Sequence, residues 1–161
     1  MKAVIKTGNE QSVQDISETE IPNLKVLYKG IFISPETREV LMDRYPIIHE
    51  NVFYDHMTIE FSPKEFDESL GKGELTVLNV IGHLTTDKVD VLIVEPNDKR
   101  LNSKNKHGHI TLSTAEGVRP YESNTEIEDH LGDIVWKEHF PIMGEALNCC
   151  VLINYTHFLK K

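Results

Sequence analysis

Asp55-His56-Met57-Thr58-Ile59 and Gly108-His109-Ile110-Thr111-Leu112 repeat one arrangement, a histidine and a threonine separated by a single apolar residue. Both lie in runs of β-forming residues, VFYDHMTIEF and HITLST, and side chains alternate across a strand. His56 and Thr58 are therefore predicted to share one face while Met57 and Ile59 take the other, and His109 and Thr111 to do the same. Imidazole transfers protons near neutral pH, and a threonine hydroxyl donates a hydrogen bond to a phosphate oxygen. Two such pairs facing each other suit phosphoester hydrolysis. One neutral histidine activates water while the other, protonated, supplies a proton to the departing oxygen, each step contributing on the order of 10²- to 10⁴-fold. That chemistry asks for no metal and no cofactor.

Other residues compete for these roles. His83-Leu84-Thr85 matches the short pattern a third time, but it runs into the turn at Thr85-Thr86-Asp87, where Thr85 is expected to leave the strand. His83 is accordingly read as structural. His107 and His109 form a His-x-His pair predicted to share a strand face, a spacing that also ligates transition metals. Neither HExxH nor CxxC accompanies it, so the metal-free site is preferred. Lys64, Lys104, Lys106 and Arg119 lie within a few residues of the motifs or their loops. Arg119 is the candidate for binding phosphate, and the lysines are read as solvated surface. Tyr121 and Trp136 are aromatic residues able to stack on a base, and Tyr121 is the candidate for that role.

The two motifs resemble those of the 2H phosphoesterase superfamily. The stretch HITLSTAEGVRPYESNTEIE and the segment Thr86-Asp87-Lys88 ahead of a strand are similar to the cyclic phosphodiesterase domains of plant- and fungal-type tRNA ligases. The likeness runs from about Val26 to Tyr155. Glu122 and Asn124 match a Glu-x-Asn of that pattern, and Tyr121 stands where the pattern has a basic residue. The resemblance implies hydrolysis of a 2′,3′-cyclic phosphate on an RNA end or nucleotide to a 2′-phosphate, with His56 and His109 catalytic and Thr58 and Thr111 binding phosphate. It also implies a bilobed fold, two antiparallel-rich sheets facing across a central cleft with short helices outside. A second enzyme reading is cleavage of a cyclic or 2′–5′-linked oligonucleotide signal. The rival class is a non-catalytic nucleotide-binding module, which needs hydrogen-bond donors but no proton-transfer pair.

The elements that must position these residues follow from local pattern. KVLYKGIFIS reads as a strand, and Ser34-Pro35 as the N-cap and first position of a helix, PETREVLMDRY, that Pro46 ends. PKEFDESLG is predicted to make one or two helical turns closed by Gly71. GELTVLNVIGHL and KVDVLIVE read as strands, PNDKRLNSKNK as a polar loop, the region from Asn124 or Thr125 as a short helix, and ALNCCVLINYTHF as the last strand. Residues 1–23 show no sustained period and are expected to form a loose or short-paired arm. Strands interleaved with short helices give an α+β or α/β domain, expected to be single over residues 1–161.

Composition limits the partners. The 161 residues include 17 Lys and Arg against 26 Asp and Glu, a formal charge of −9. An extended basic track for nucleic acid is therefore not expected, although a local pocket for one phosphate is. No apolar stretch approaches the roughly 18 residues that cross a bilayer, and a cytoplasmic, monomeric protein without a membrane partner is expected. Adjacent Cys149 and Cys150 are read as buried free thiols.

Overall fold

The computed structural model describes residues 1–153. Nine strands carry nearly half of them: β1 (Lys2–Thr7), β2 (Glu10–Asp15), β3 (Leu24–Ile33), β4 (Asn51–Val52), β5 (His56–Phe61), β6 (Leu75–Thr85), β7 (Val89–Pro96), β8 (His109–Thr114) and β9 (Val135–Leu152). Two α-helices accompany them, α1 (Pro35–Arg44) and α2 (Ser123–Asp129). The protein is thus mixed α/β and sheet-rich, with one large mixed sheet in the order β2-β1-β9-β3-β5-β8-β7-β6. Among the described residues only the β1–β9 pairing is parallel.

Strand β9 is longer than its sequence suggests. Its first half pairs with β6, from Val135↔His83 to Glu145↔Leu75, and its second half pairs with β3, from Gly144↔Ile33 to Leu152↔Leu24. One strand therefore belongs to both halves of the sheet, and β9-β3-β5-β8-β7-β6 closes into a ring. Two separate sheets were the expectation, and the strand that joins them was expected to begin only at Ala146. Residues 135–145 escape a pattern reading because Val135, Trp136 and Met143 are exposed, so no apolar alternation marks them. Residues 154–158 of the predicted last strand, and Tyr155 at the limit of the resemblance, lie outside the described residues.

One face of all six ring strands feeds a single apolar cluster. Ile31 comes from β3, Met57 and Ile59 from β5, Leu78 and Val80 from β6, Leu92 and Val94 from β7, Ile110 and Leu112 from β8, and Ile142 from β9. Leu41 of α1 joins them. The other face of β7 packs Val89, Val91 and Ile93 against Ile127 of α2. Burial on both faces explains why β7 reads as a continuous apolar run instead of an alternating one. Ser34 caps α1 as predicted, its hydroxyl accepting from the Thr37 N–H at 3.2 Å with Pro35 next in the chain.

Two expectations are corrected here. The first concerns the amino-terminal arm, expected to be loose or short-paired: β1 and β2 do pair as a short hairpin, but the arm is not loose, since Ala3, Val4 and Ile5 are buried and β1 docks on β9 through Val4↔Cys149 and Ile5↔Cys150. Three consecutive buried residues in a six-residue strand suit a position covered on both faces, which sequence period cannot reveal. The second is the helix over 63–71, where the structure has turns. Buried Asn148 claims that backbone, its side chain accepting from the Asp67 N–H at 3.0 Å and donating to the Asp67 carbonyl at 2.9 Å. A backbone held from β9 in this way cannot make helical bonds of its own. Cys149 and Cys150 are free and buried. No helix among the described residues is long and apolar enough to cross a membrane.

Candidate active site

The two histidine motifs meet because β5 and β8 are neighbours, joined at Met57↔Ile110. With those two apolar residues turned into the core, His56 and Thr58 share the opposite face with His109 and Thr111. All four line one cleft of about 620 Å³. Its floor is β5 and β8. One flank is formed by Pro120, Tyr121 and Asn124 at the start of α2, and the other by Tyr28 of β3 with Lys6 and Gln11 of the amino-terminal hairpin.

Each imidazole is fixed through its Nδ1. His109 Nδ1 lies 2.9 Å from the His107 carbonyl oxygen, a pure acceptor, so Nδ1 carries the proton and Nε2 keeps its lone pair. His109 is only 9% exposed. Burial holds its imidazole below the ordinary range, and the neighbouring His56 pushes the same way against the contribution of the His107 carbonyl. His56 Nδ1 lies 2.9 Å from a carboxylate oxygen of Asp55, an arrangement that orients the ring. Tyr28 stacks on the His56 ring at 4.7 Å and Phe32 lies at 5.1 Å. Gly30 makes room for this packing, since a Cβ there would sit 3.4 Å from the His56 ring and 3.0 Å from the Met57 carbonyl.

Asp55 is the functional candidate that sequence pattern does not single out. Adjacent residues of a regular strand point to opposite faces, so Asp55 and His56 should not touch. They do because the chain is irregular just before β5. Tyr54 has φ +47°, held there by a fully buried ring whose hydroxyl donates to the Tyr45 carbonyl at 2.6 Å. The threonines differ: Thr111 Oγ1 lies 3.0 Å from Oγ of buried Ser123, whereas the Thr58 hydroxyl has no hydrogen-bond partner among the described residues.

The remaining candidates separate clearly. Tyr121 stands at the cleft, 66% exposed, with its carbonyl accepting from the Asn124 side chain at 3.2 Å. Arg119 is exposed and does not line the cleft, contrary to the expectation that it binds phosphate there. The only Lys or Arg lining it among the described residues is Lys6. Lys64 is exposed, and Lys104 and Lys106 are paired with Glu60 and Glu128 at 3.1 Å each. Trp136 is exposed on β9, away from the cleft lining.

His107 and His109 do not share a strand face as expected, because β8 begins only at His109 and His107 turns to Glu128, 3.2 Å away. No group of three or more His, Cys, Asp or Glu side chains among the described residues is arranged to hold a metal. His83 meets Asp90 at 2.6 Å and lies against the Tyr45 ring, outside the cleft. Thr85 does not leave the strand as expected. It ends β6 directly opposite Asp90 and donates to that carboxylate at 2.8 Å.

No family model matches the chain, and no curated protein matches it. Among solved structures it is similar to a fungal RNA kinase, with a TM-score of 0.49 and 17% identity over 84% of this chain and 43% of that one. The chain thus spans less than half the length of the protein it matches.

Proposed function

We propose that the protein is a metal-independent phosphodiesterase of the two-histidine type that opens a 2′,3′-cyclic phosphate on an RNA end or nucleotide, leaving a 2′-phosphate. The observation that carries this reading is the convergence of both His-x-Thr pairs on one cleft with each Nδ1 occupied. The two imidazoles are in different environments, and that difference supports one division of their roles. Buried His109, kept neutral, takes a proton from water through Nε2. The water oxygen bonds to phosphorus, the bond from phosphorus to the 3′ oxygen breaks, and His56 gives that oxygen its proton. Asp55 orients the His56 ring through Nδ1. Thr58 and Thr111 donate to the non-bridging oxygens, Ser123 orienting the Thr111 hydroxyl, and Tyr121 stacks on the base. In this reading the two lobes of the family fold are the β6–β8 and β3–β5 halves that β9 joins.

Incubation with a cyclic-phosphate mononucleotide and a short RNA bearing a cyclic end, with product analysis by phosphorus NMR, tests this directly. A 2′-phosphate product is expected, and no turnover of either substrate would reject the reading. Turnover should also persist after exhaustive EDTA treatment, since the catalytic groups are proton carriers. Loss on chelation that zinc or manganese restores would return the assignment to a metal site.

The pH dependence follows from His109. A base must be deprotonated, so activity rises with pH as His109 loses its proton, and its depressed pKa places that limb below the 6.5 of an ordinary imidazole. The same shift makes this residue's contribution to stability complete above the unfolded value and lost as pH falls through the folded one. The acidic limb of kcat/KM should therefore lie below 6.5 and disappear from the profile of His109→Ala.

A further inference from the structure

The cleft has a flank that the two-histidine chemistry does not use. Lys6 of β1 and Gln11 of β2 are directly opposite each other in the hairpin register, so they share a face. That face is the one bearing the histidines: Val4, two residues before Lys6, packs with Cys149, Tyr28 and Phe32, and Phe32 is paired with His56. Gln11 lines the same cleft as Tyr28 and His56. Among the described residues Lys6, half-buried, makes no ion pair and is the lone Lys or Arg lining the cleft, in a protein of charge −9. An unpaired ammonium held at a cleft in an acidic protein is a receptor for an anion.

Distance decides which anion. From β5 to β1 the sheet order passes through β3 and β9. Three inter-strand steps amount to about 14 Å across the sheet, and the register adds a stagger of several residues along it, since His56 lies opposite Phe32 and Phe32 opposite Glu145, whereas Ile5, next to Lys6, lies opposite Cys150. His56 and His109 are only one step apart. Lysine is long enough to lean back along the cleft, but a phosphate gripped between the histidines sits over β5 and β8, beyond the natural reach of the Lys6 side chain. Lys6 is therefore placed to meet a different phosphate of the same chain.

We propose that Lys6, positioned by the β1–β2 hairpin and flanked by Gln11, binds an internucleotide phosphate other than the reacting one, so that the substrate is an oligoribonucleotide end of at least two nucleotides instead of a cyclic mononucleotide. This inference rests on the phosphodiesterase reading above for the identity of the reacting group. The hairpin thereby serves specificity and is more than an edge of the sheet.

The test compares kcat/KM for a dinucleotide with a terminal 2′,3′-cyclic phosphate against that for the cyclic mononucleotide, in wild type, Lys6→Met and Lys6→Arg. Wild type should prefer the dinucleotide by on the order of ten- to a hundred-fold, the value of one charge-assisted hydrogen bond. Lys6→Met should bring that ratio close to one, mainly through KM, and Lys6→Arg should keep most of it. The wild-type preference should also shrink as salt is raised, a measurement that needs no variant. A wild-type ratio near one, or a Lys6→Met loss equal for both substrates, overturns the proposal. If wild type turns over neither substrate, the phosphodiesterase reading falls. Calorimetric affinities for a dinucleotide 3′-phosphate and a mononucleotide 3′-phosphate then decide the subsite alone: tighter dinucleotide binding that Lys6→Met abolishes sustains it, and equal binding removes it.

Discussion

Alanine at His56 or at His109 is expected to lower kcat by about 10³-fold or more, and alanine at both to cost little beyond either single change, because a proton donor and a proton acceptor act as one unit. Neither change should unfold the protein. His109→Ala removes one hydrogen bond to the His107 carbonyl, and His56→Ala removes ring contacts with Tyr28 and Phe32. Each loss is worth on the order of 1–2 kcal/mol of stability. His83→Ala supplies the opposite pattern. Its partner Asp90 is 1% exposed, and removing the imidazole leaves that buried carboxylate with Thr85 as its one side-chain hydrogen-bond partner among the described residues. An under-partnered buried charge costs on the order of 1–3 kcal/mol, so stability should fall while kcat is retained. Steady-state kinetics and urea denaturation of the three variants check this crossing. If His83→Ala lost activity as severely as the others with folding unchanged, the catalytic pair would have been misassigned.

The legible and illegible parts of the sequence differ in physical kind. His56, Thr58, His109 and Thr111 are marked by a local rule, period-two alternation with apolar residues turned inward, and Met57, Ile59, Ile110 and Leu112 do enter one core. The Ser34-Pro35 helix start is equally local. Asp55 was hidden because the contact depends on the left-handed backbone of Tyr54, which is set by the burial of its ring. Lys6 and Gln11 were hidden because they reach the site through pairing with strands more than 100 residues away. The failed helix at 63–71 belongs to the same class, since Asn148 across the sheet takes the backbone groups that a helix would use. Arg119 stands outside the cleft lining for another reason. Nearness in sequence to His109 says nothing about where a side chain on an exposed turn will point, and the charge that does enter the cleft comes from the chain's other end.

Gly71→Ala is expected to destabilise the protein by about 3 kcal/mol or more, well above the cost of Gly8→Ala, for reasons that two backbone conformations separate. Both glycines have positive φ, +76° at Gly71 and +59° at Gly8. Alanine in that region costs on the order of 1–2 kcal/mol by itself, so this part is shared. The surroundings are not. A Cβ at Gly8 meets nothing within 4 Å, whereas one at Gly71 would run into the Lys2 carbonyl oxygen. That neighbour is backbone and cannot swing aside as a side chain could. Gly71 also holds β1 in place, its carbonyl accepting from the Lys2 N–H at 2.7 Å while its own N–H donates to the Ala146 carbonyl at 3.1 Å. To admit a methyl group, either the loop or the docked hairpin must move, and both movements break those bonds. The consequence reaches the site, because the strand displaced is the one that carries Lys6. Gly71→Ala should therefore lose part of the preference for a dinucleotide end under conditions where the variant remains folded, while Gly8→Ala should not. Urea midpoints for the two variants measure the first effect, and the substrate ratio measures the second. Equal destabilisation by the two alanines would mean that close packing at Gly71 does not hold the hairpin, and the support for positioning Lys6 through β1 would have to come from its pairing with β9 alone.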